Sequence, residues 1–138
     1  MTPLRDKIEI DLENLDRIVV ELPDSSSLPL LSVIELAGVA TLLHNFYNGI
    51  ENILKWVMLD KNVEIPSGNS WHKDLLNIAE ENQIISTSSK IQIGEFLAFR
   101  HFFIHAYALD LYAERIEPLV EQVPALFEIF KTEIATLY

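Results

Sequence analysis

Two stretches of this chain place polar residues where an apolar helical pattern leaves no need for them. In the aromatic run from Phe96 to Phe103, Arg100 and His101 interrupt the pattern, and His105 follows one turn later. Earlier, His44, Asn48, Glu51 and Lys55 recur at intervals of four, three and four. At about 100° per residue, that spacing puts the four on one helix face. A charge inside an apolar segment is costly unless it is paired or used. These residues are therefore the candidates for chemistry.

The first bundle-core chemistry to test is a carboxylate-bridged metal pair, which needs Glu-x-x-His on two helices. No Glu here has a His three positions later, and the His-Glu-x-x-His spacing of zinc proteases is absent. There is no cysteine, hence no thiolate ligand, thiol nucleophile or disulfide scaffold. The expectation is no metal and no cofactor. RNA cleavage needs only a base for the 2′-hydroxyl proton, which His supplies near neutral pH, and a permanent cation for the transition-state phosphate, which Arg supplies with a planar fork. Arg100 and His105 are the proposed catalytic pair, with His101, Asn48 and Glu51 in support. The bland alternatives are an Arg100 ion pair with Glu51, a polar patch satisfied inside the bundle, and an ordinary buried Tyr107. His44 and His72 read as structural or surface residues.

Five positions along one helix turn through about 500°, so Arg100 and His105 point about 140° apart. His101 and His105 share a face. Arg100 and Tyr107, seven apart, nearly share another. One helix does not converge the catalytic pair, but a two-fold dimer with facing copies of this helix would place both around one groove.

The elements that must carry these residues read as all-α, an up-and-down helical bundle of four main helices plus a kinked C-terminal helix, in a single domain over residues 1–138. A first helix is expected over residues 3–22, with Thr2 as N-cap, Pro3 in the first turn, and Ile8, Leu12, Leu15 and Val19 inward. A second, long and buried on most sides, is expected over 29–60, and a short third over 71–82. Ser89-Lys-Ile-Gln92 fits a capping box and would open a fourth helix running to about residue 110. The tail over 112–137 contains Pro118, a candidate start, and Pro124, a candidate kink.

The formal net charge is −11, which argues against general affinity for nucleic acid. The charge is uneven. Residues 55–115 hold six Lys and Arg against eight Asp and Glu; the remainder holds four against thirteen. An anionic substrate would approach the middle, and the acidic ends would suit a more basic protein partner. No stretch reads as a signal peptide or a membrane span, so the expected compartment is the cytoplasm.

Arg100-His-Phe-Phe-Ile-His105-Ala-Tyr107 resembles the Arg-x4-His-x-Tyr signature of HEPN-domain toxins of the HepT-like group. Asn45-Phe-Tyr-Asn-Gly-Ile-Glu51, Trp71-His-Lys-Asp-Leu75 and Val123-Pro-Ala-Leu126 extend the resemblance over about residues 30–130. Ala106 stands where the family commonly has Gly. The resemblance implies a HEPN-like helical-bundle homodimer that acts as a metal-independent ribonuclease toxin, with tRNA as a target by family analogy. It also implies an MNT-type nucleotidyltransferase antitoxin that attaches AMP at the motif tyrosine, here Tyr107. The competing reading keeps the fold but not the cleavage: a non-catalytic module that binds a nucleotidyltransferase partner or a nucleotide.

Overall fold

The computed structural model describes residues 3–138, and among these it contains helices and no strand. The expected cap at Thr2 lies outside the described residues. Helix α1 spans Leu4–Glu21 and α2 spans Val33–Asp60. The shorter α3 covers Trp71–Glu81, α4 covers Thr87–His105 and α5 covers Ala113–Ala135. Short 3-10 segments, Ser25–Leu30 and Ala108–Asp110, precede α2 and α5.

Pro3 occupies the N-cap position of α1 rather than its first turn. Ile8 and Leu15 are buried and Leu12 and Val19 are partly so, as their three-and-four spacing requires. Helix α2 starts four residues later than expected, at a capping box. The Ser32 hydroxyl accepts from the Glu35 backbone N–H, and the Glu35 carboxylate accepts from that of Ser32. From Leu36 onward α2 is the central element, packed against α1, α3, α4 and α5. Its Phe46, Tyr47, Ile50, Ile53 and Leu54 are fully enclosed. The apolar start of α2 is not enclosed: Val33 and Ile34 are exposed. The Trp56 indole N–H donates to Asp11 at 2.9 Å and ties α1 to α2.

Helices α2 and α3 both end with a residue in the left-handed region, Asn62 and Gln83. In each case the next residue reaches back into the last turn: Val63 N–H donates to Met58 C=O, and Ile84 N–H to Ala79 C=O. This satisfies carbonyls that a helix end otherwise leaves unpaired.

The start of α4 departs from the sequence reading. Its N-cap is Ser86, whose hydroxyl accepts from the Ser89 N–H, so the pattern Ser89–Gln92 caps nothing. Ser89 is buried, and its hydroxyl donates to Glu133 of α5. The same carboxylate accepts the Ser86 backbone N–H at 2.6 Å. An anion at a helix N-terminus is favourable in itself, because it meets unpaired N–H groups and the positive end of the helix dipole. The end of α4 also differs: the helix stops at His105, with extended backbone at Ala106. The tail is one continuous helix from Ala113, so Pro118 does not mark its start. Pro118 and Pro124 both lie inside it on exposed positions, where carbonyls left without a donor can face water.

Glu133→Ala removes both hydrogen bonds that α5 gives to the start of α4. The expected loss is about 1–3 kcal/mol, read as a lowered midpoint in urea at unchanged slope. An unchanged midpoint would show that the clamp contributes nothing.

Candidate functional site

The α2 stripe read from the sequence is real, and it is organised around Glu51. Glu51 is 4% exposed. Its Oε2 accepts from the Tyr47 hydroxyl at 2.6 Å and lies 2.5 Å from His72 Nδ1, on α3. A lone buried carboxylate would be prohibitive; two short hydrogen bonds offset its lost hydration. Burial holds the Tyr47 phenol well above the ordinary tyrosine range, and the adjacent Glu51 carboxylate pushes it further. Tyr47 therefore remains a neutral donor to Glu51.

One turn before Glu51 on the stripe, the Asn48 amide donates to His44 Nε2 at 3.2 Å. His44 Nδ1 is buried without a hydrogen-bond partner, and the ring packs on Phe103 of α4 with centroids 5.2 Å apart. Burial lowers the His44 pKa and the Arg100 charge lowers it further, against an opposing pull from Glu51. At the other end of the stripe, the Lys55 ammonium sits 4.2 Å above the Trp71 ring.

Arg100 enters this cluster from α4. It is half-buried, and its Nε is sealed from solvent with no hydrogen-bond partner. The Arg100–Glu51 ion pair does not form: Glu51 is engaged by Tyr47 and His72, and among the described residues no carboxylate pairs with Arg100. Neither Asn48 nor Glu51 hydrogen-bonds to Arg100 or His105, so their contacts are with His44, Tyr47 and His72 instead. A half-buried guanidinium without a counter-charge is suited to an incoming anion, since Arg keeps its charge at any working pH.

His101 and His105 do converge. Their ring centroids are 5.0 Å apart and both are exposed on the last turns of α4. Arg100 faces α2 and α3 while His105 is the final helical residue, so one chain leaves the divergence expected from helix geometry in place. Tyr107 needs a correction. The helix ends before it, so the shared face with Arg100 is not formed. Tyr107 instead precedes the 3-10 segment Ala108–Asp110 in extended conformation and is 81% exposed. The alternative of an ordinary buried tyrosine is thereby removed.

His44 and His72, read from the sequence as structural or surface residues, are both built into the cluster. His44 shares the stripe of Asn48 and Glu51, a signal that its spacing carried. His72 is 21 positions from Glu51 and no periodicity connects them.

The model of a family described as HepT-like protein matches residues 38–138, which include every residue of this cluster. The chain belongs to that family. No curated protein and no solved structure matches it. The match begins within α2 and runs through α5, so the polar stripe, Arg100 and the His101–His105 pair all fall in the family's own region. Membership indicates a HEPN-type toxin of a toxin–antitoxin system.

Tyr47 supplies a test of this geometry. Of the four tyrosines, Tyr47 alone is fully buried against a carboxylate. On alkaline titration followed at 295 nm, its phenol should stay protonated until the chain unfolds. The sign follows from linkage: above about pH 10 the unfolded chain releases this proton and the folded chain does not, so stability falls as pH rises. In Tyr47→Phe that alkaline loss should shrink. Ionisation of all four phenols in the folded protein would contradict the buried Tyr47–Glu51 contact.

Proposed function

We propose that this HepT-like protein is a metal-independent ribonuclease toxin in which Arg100 binds the scissile phosphate and His105 is the base. The observation that carries the reading is the half-buried Arg100 guanidinium, left without a counter-charge while the neighbouring Glu51 is fully engaged. In the proposed step His105 takes the proton of a ribose 2′-hydroxyl. O2′ then bonds to the adjacent phosphorus and the P–O5′ bond breaks. The products are a 2′,3′-cyclic phosphate and a 5′-hydroxyl. The O5′ receives its proton from His101, the second imidazole of the pair. Arg100 holds the non-bridging oxygens as negative charge develops on them.

A homodimer completes the site in this reading. Ile34 on α2, with Ile104 and Leu109 around the end of α4, are large apolar side chains left half or more exposed. The elements that carry them meet at one end of the bundle, where α2 packs against the 3-10 segment after α4. Covering that end with a second copy would bring one protomer's His105 towards the other's Arg100. The substrate is RNA, with tRNA the first candidate, and the compartment is the cytoplasm.

Neutralisation follows from Tyr107. Its exposed hydroxyl, in an irregular turn two residues after His105, is open to an MNT-type nucleotidyltransferase antitoxin. The Tyr107 oxygen attacks the α-phosphorus of ATP, the bond to the β-phosphate oxygen breaks, and pyrophosphate leaves with the phenolic proton lost to solvent. The AMP group adds bulk and negative charge beside His105, where the RNA phosphate must sit.

Expressed alone, the wild-type chain should arrest growth. Arg100→Ala and His105→Ala should relieve the arrest and lower RNA cleavage at least about a hundredfold, with folding intact and wild-type activity insensitive to EDTA. Two folded variants that remain toxic would sink the assignment. A chain that never cuts RNA would leave the non-catalytic partner-binding module.

After incubation with the antitoxin and ATP, intact mass should rise by whole AMP units, and Tyr107→Phe should abolish the increase. Added mass that survives Tyr107→Phe would place the modification elsewhere.

A further inference from the structure

Helices α3 and α4 enclose a groove of about 640 Å³. That is within the roughly 300–1,000 Å³ typical of small-molecule and cofactor sites. Its lining has an unusual charge balance for a chain of net charge −11. Lys73, Lys90, Arg100, His72 and His101 border it, and no carboxylate does. The groove between α1 and α2 is the opposite, with Asp11, Asp16 and Glu21 around a single Arg17.

The cations are not equivalent. Lys90 is held by Glu80 at 3.2 Å, and His72 is held by Glu51. Lys73 is exposed and, among the described residues, pairs with no carboxylate. Lys73 and Arg100 are thus the two cations available to a ligand. Leu76 and Leu97 share the same lining, and Gly94 leaves open space above the α4 backbone. Ile91, also on the lining, is 62% exposed. Unpaired cations and apolar side chains lining one groove suit the alternation of phosphate and base in a single strand. Phosphates pair with Lys and Arg, and a base buries its faces on apolar side chains.

We propose that the α3–α4 groove is the track for single-stranded RNA next to the cleaved bond: Lys73 holds a neighbouring phosphate, and Leu76 and Leu97 receive a base. The inference rests on the ribonuclease reading for the identity of the strand. It adds Lys73 and the groove as a binding subsite outside the Arg-x4-His motif. Glu80, Glu51 and Asp74 lie just behind the lining, bonded to Lys90, His72 and Ser70, which leaves Lys73 and Arg100 to meet an anionic strand.

The test reads binding apart from cleavage. A fluorescent twelve-nucleotide oligoribonucleotide of mixed sequence is titrated against His105→Ala protein, with and without Lys73→Glu, at several salt concentrations. Arg17→Glu in the same background carries the same charge change in the acidic α1–α2 groove. Lys73→Glu should weaken binding about fivefold or more and reduce the salt slope by about 0.7, as expected for one lost phosphate contact. Arg17→Glu should leave both nearly unchanged. Ile91→Glu should also weaken binding. Equal effects of Lys73→Glu and Arg17→Glu, or no RNA binding at all, would overturn the subsite. If Lys73-dependent binding is seen but wild-type protein leaves RNA uncut, the ribonuclease reading falls and the groove stands.

Discussion

The buried carboxylate of Glu51 is the constraint on which the rest of the site depends. An ionised group in the middle of the central helix must be met by donors on every open side. Tyr47 meets it from the previous turn and His72 from α3, so α3 docks on α2 through this contact as well as through Leu75, Leu76 and Ala79. With Glu51 satisfied in this way, Arg100 on the facing helix has no carboxylate to pair with. Burial lowers the pKa of the neighbouring His44, the Arg100 charge adds to that lowering, and His44 Nε2 accepts from the Asn48 amide. The site is thus an anion saturated by its own scaffold beside a cation that is not.

The position of α4 is fixed at both ends by different means, and the difference matters for function. Its first turn is held by Glu133 from the far end of α5, with Phe96 and Phe99 buried behind it. Arg115 lies over the Phe102 ring at 3.9 Å and pins the later turns to α5. Past His105 the hold relaxes. The backbone becomes extended at Ala106, and Tyr107 and Leu109 turn outward. A rigid helix therefore carries Arg100, whereas Tyr107 sits in a segment that an enzyme acting on the side chain could reach. The same features that make the site precise at one end make it accessible at the other.

Much of this was legible in the sequence, within definite physical bounds. Periodicity located all five helices and the α2 stripe, because burial of a helix face is a local pattern. It placed Arg100 and His105 on one helix, as α4 has them. It failed where the deciding partner was distant. Ser32–Glu35 and Ser89–Gln92 have the same capping-box spelling, yet only the first caps a helix. The second is overruled by Ser86 three residues earlier and by Glu133, more than forty residues later in the chain. The stop of α4 at His105 has no Gly, Asn or Pro to announce it, so the helix was carried about five residues too far, and Tyr107 with it. His72 was unreadable for the same reason as Glu133: its role is set by a contact across two helices.

The strong acidity of the chain and a cationic site are compatible once charge is considered locally. Electrostatic attraction of a ligand depends on the groups within a screening length, and net charge describes the whole surface. The acidic residues of α1 and of α5 lie largely outside the α3–α4 groove and the Arg100 cluster, whereas Lys73, Lys90 and Arg100 border them. A general excess of negative charge disfavours loose contact with any polyanion. In the proposed reading, this leaves the groove with the unpaired Lys73 and Arg100 as the place where a strand is held. In the proposed reading, the groove that receives the phosphate chain is also lined by Arg100 and His101.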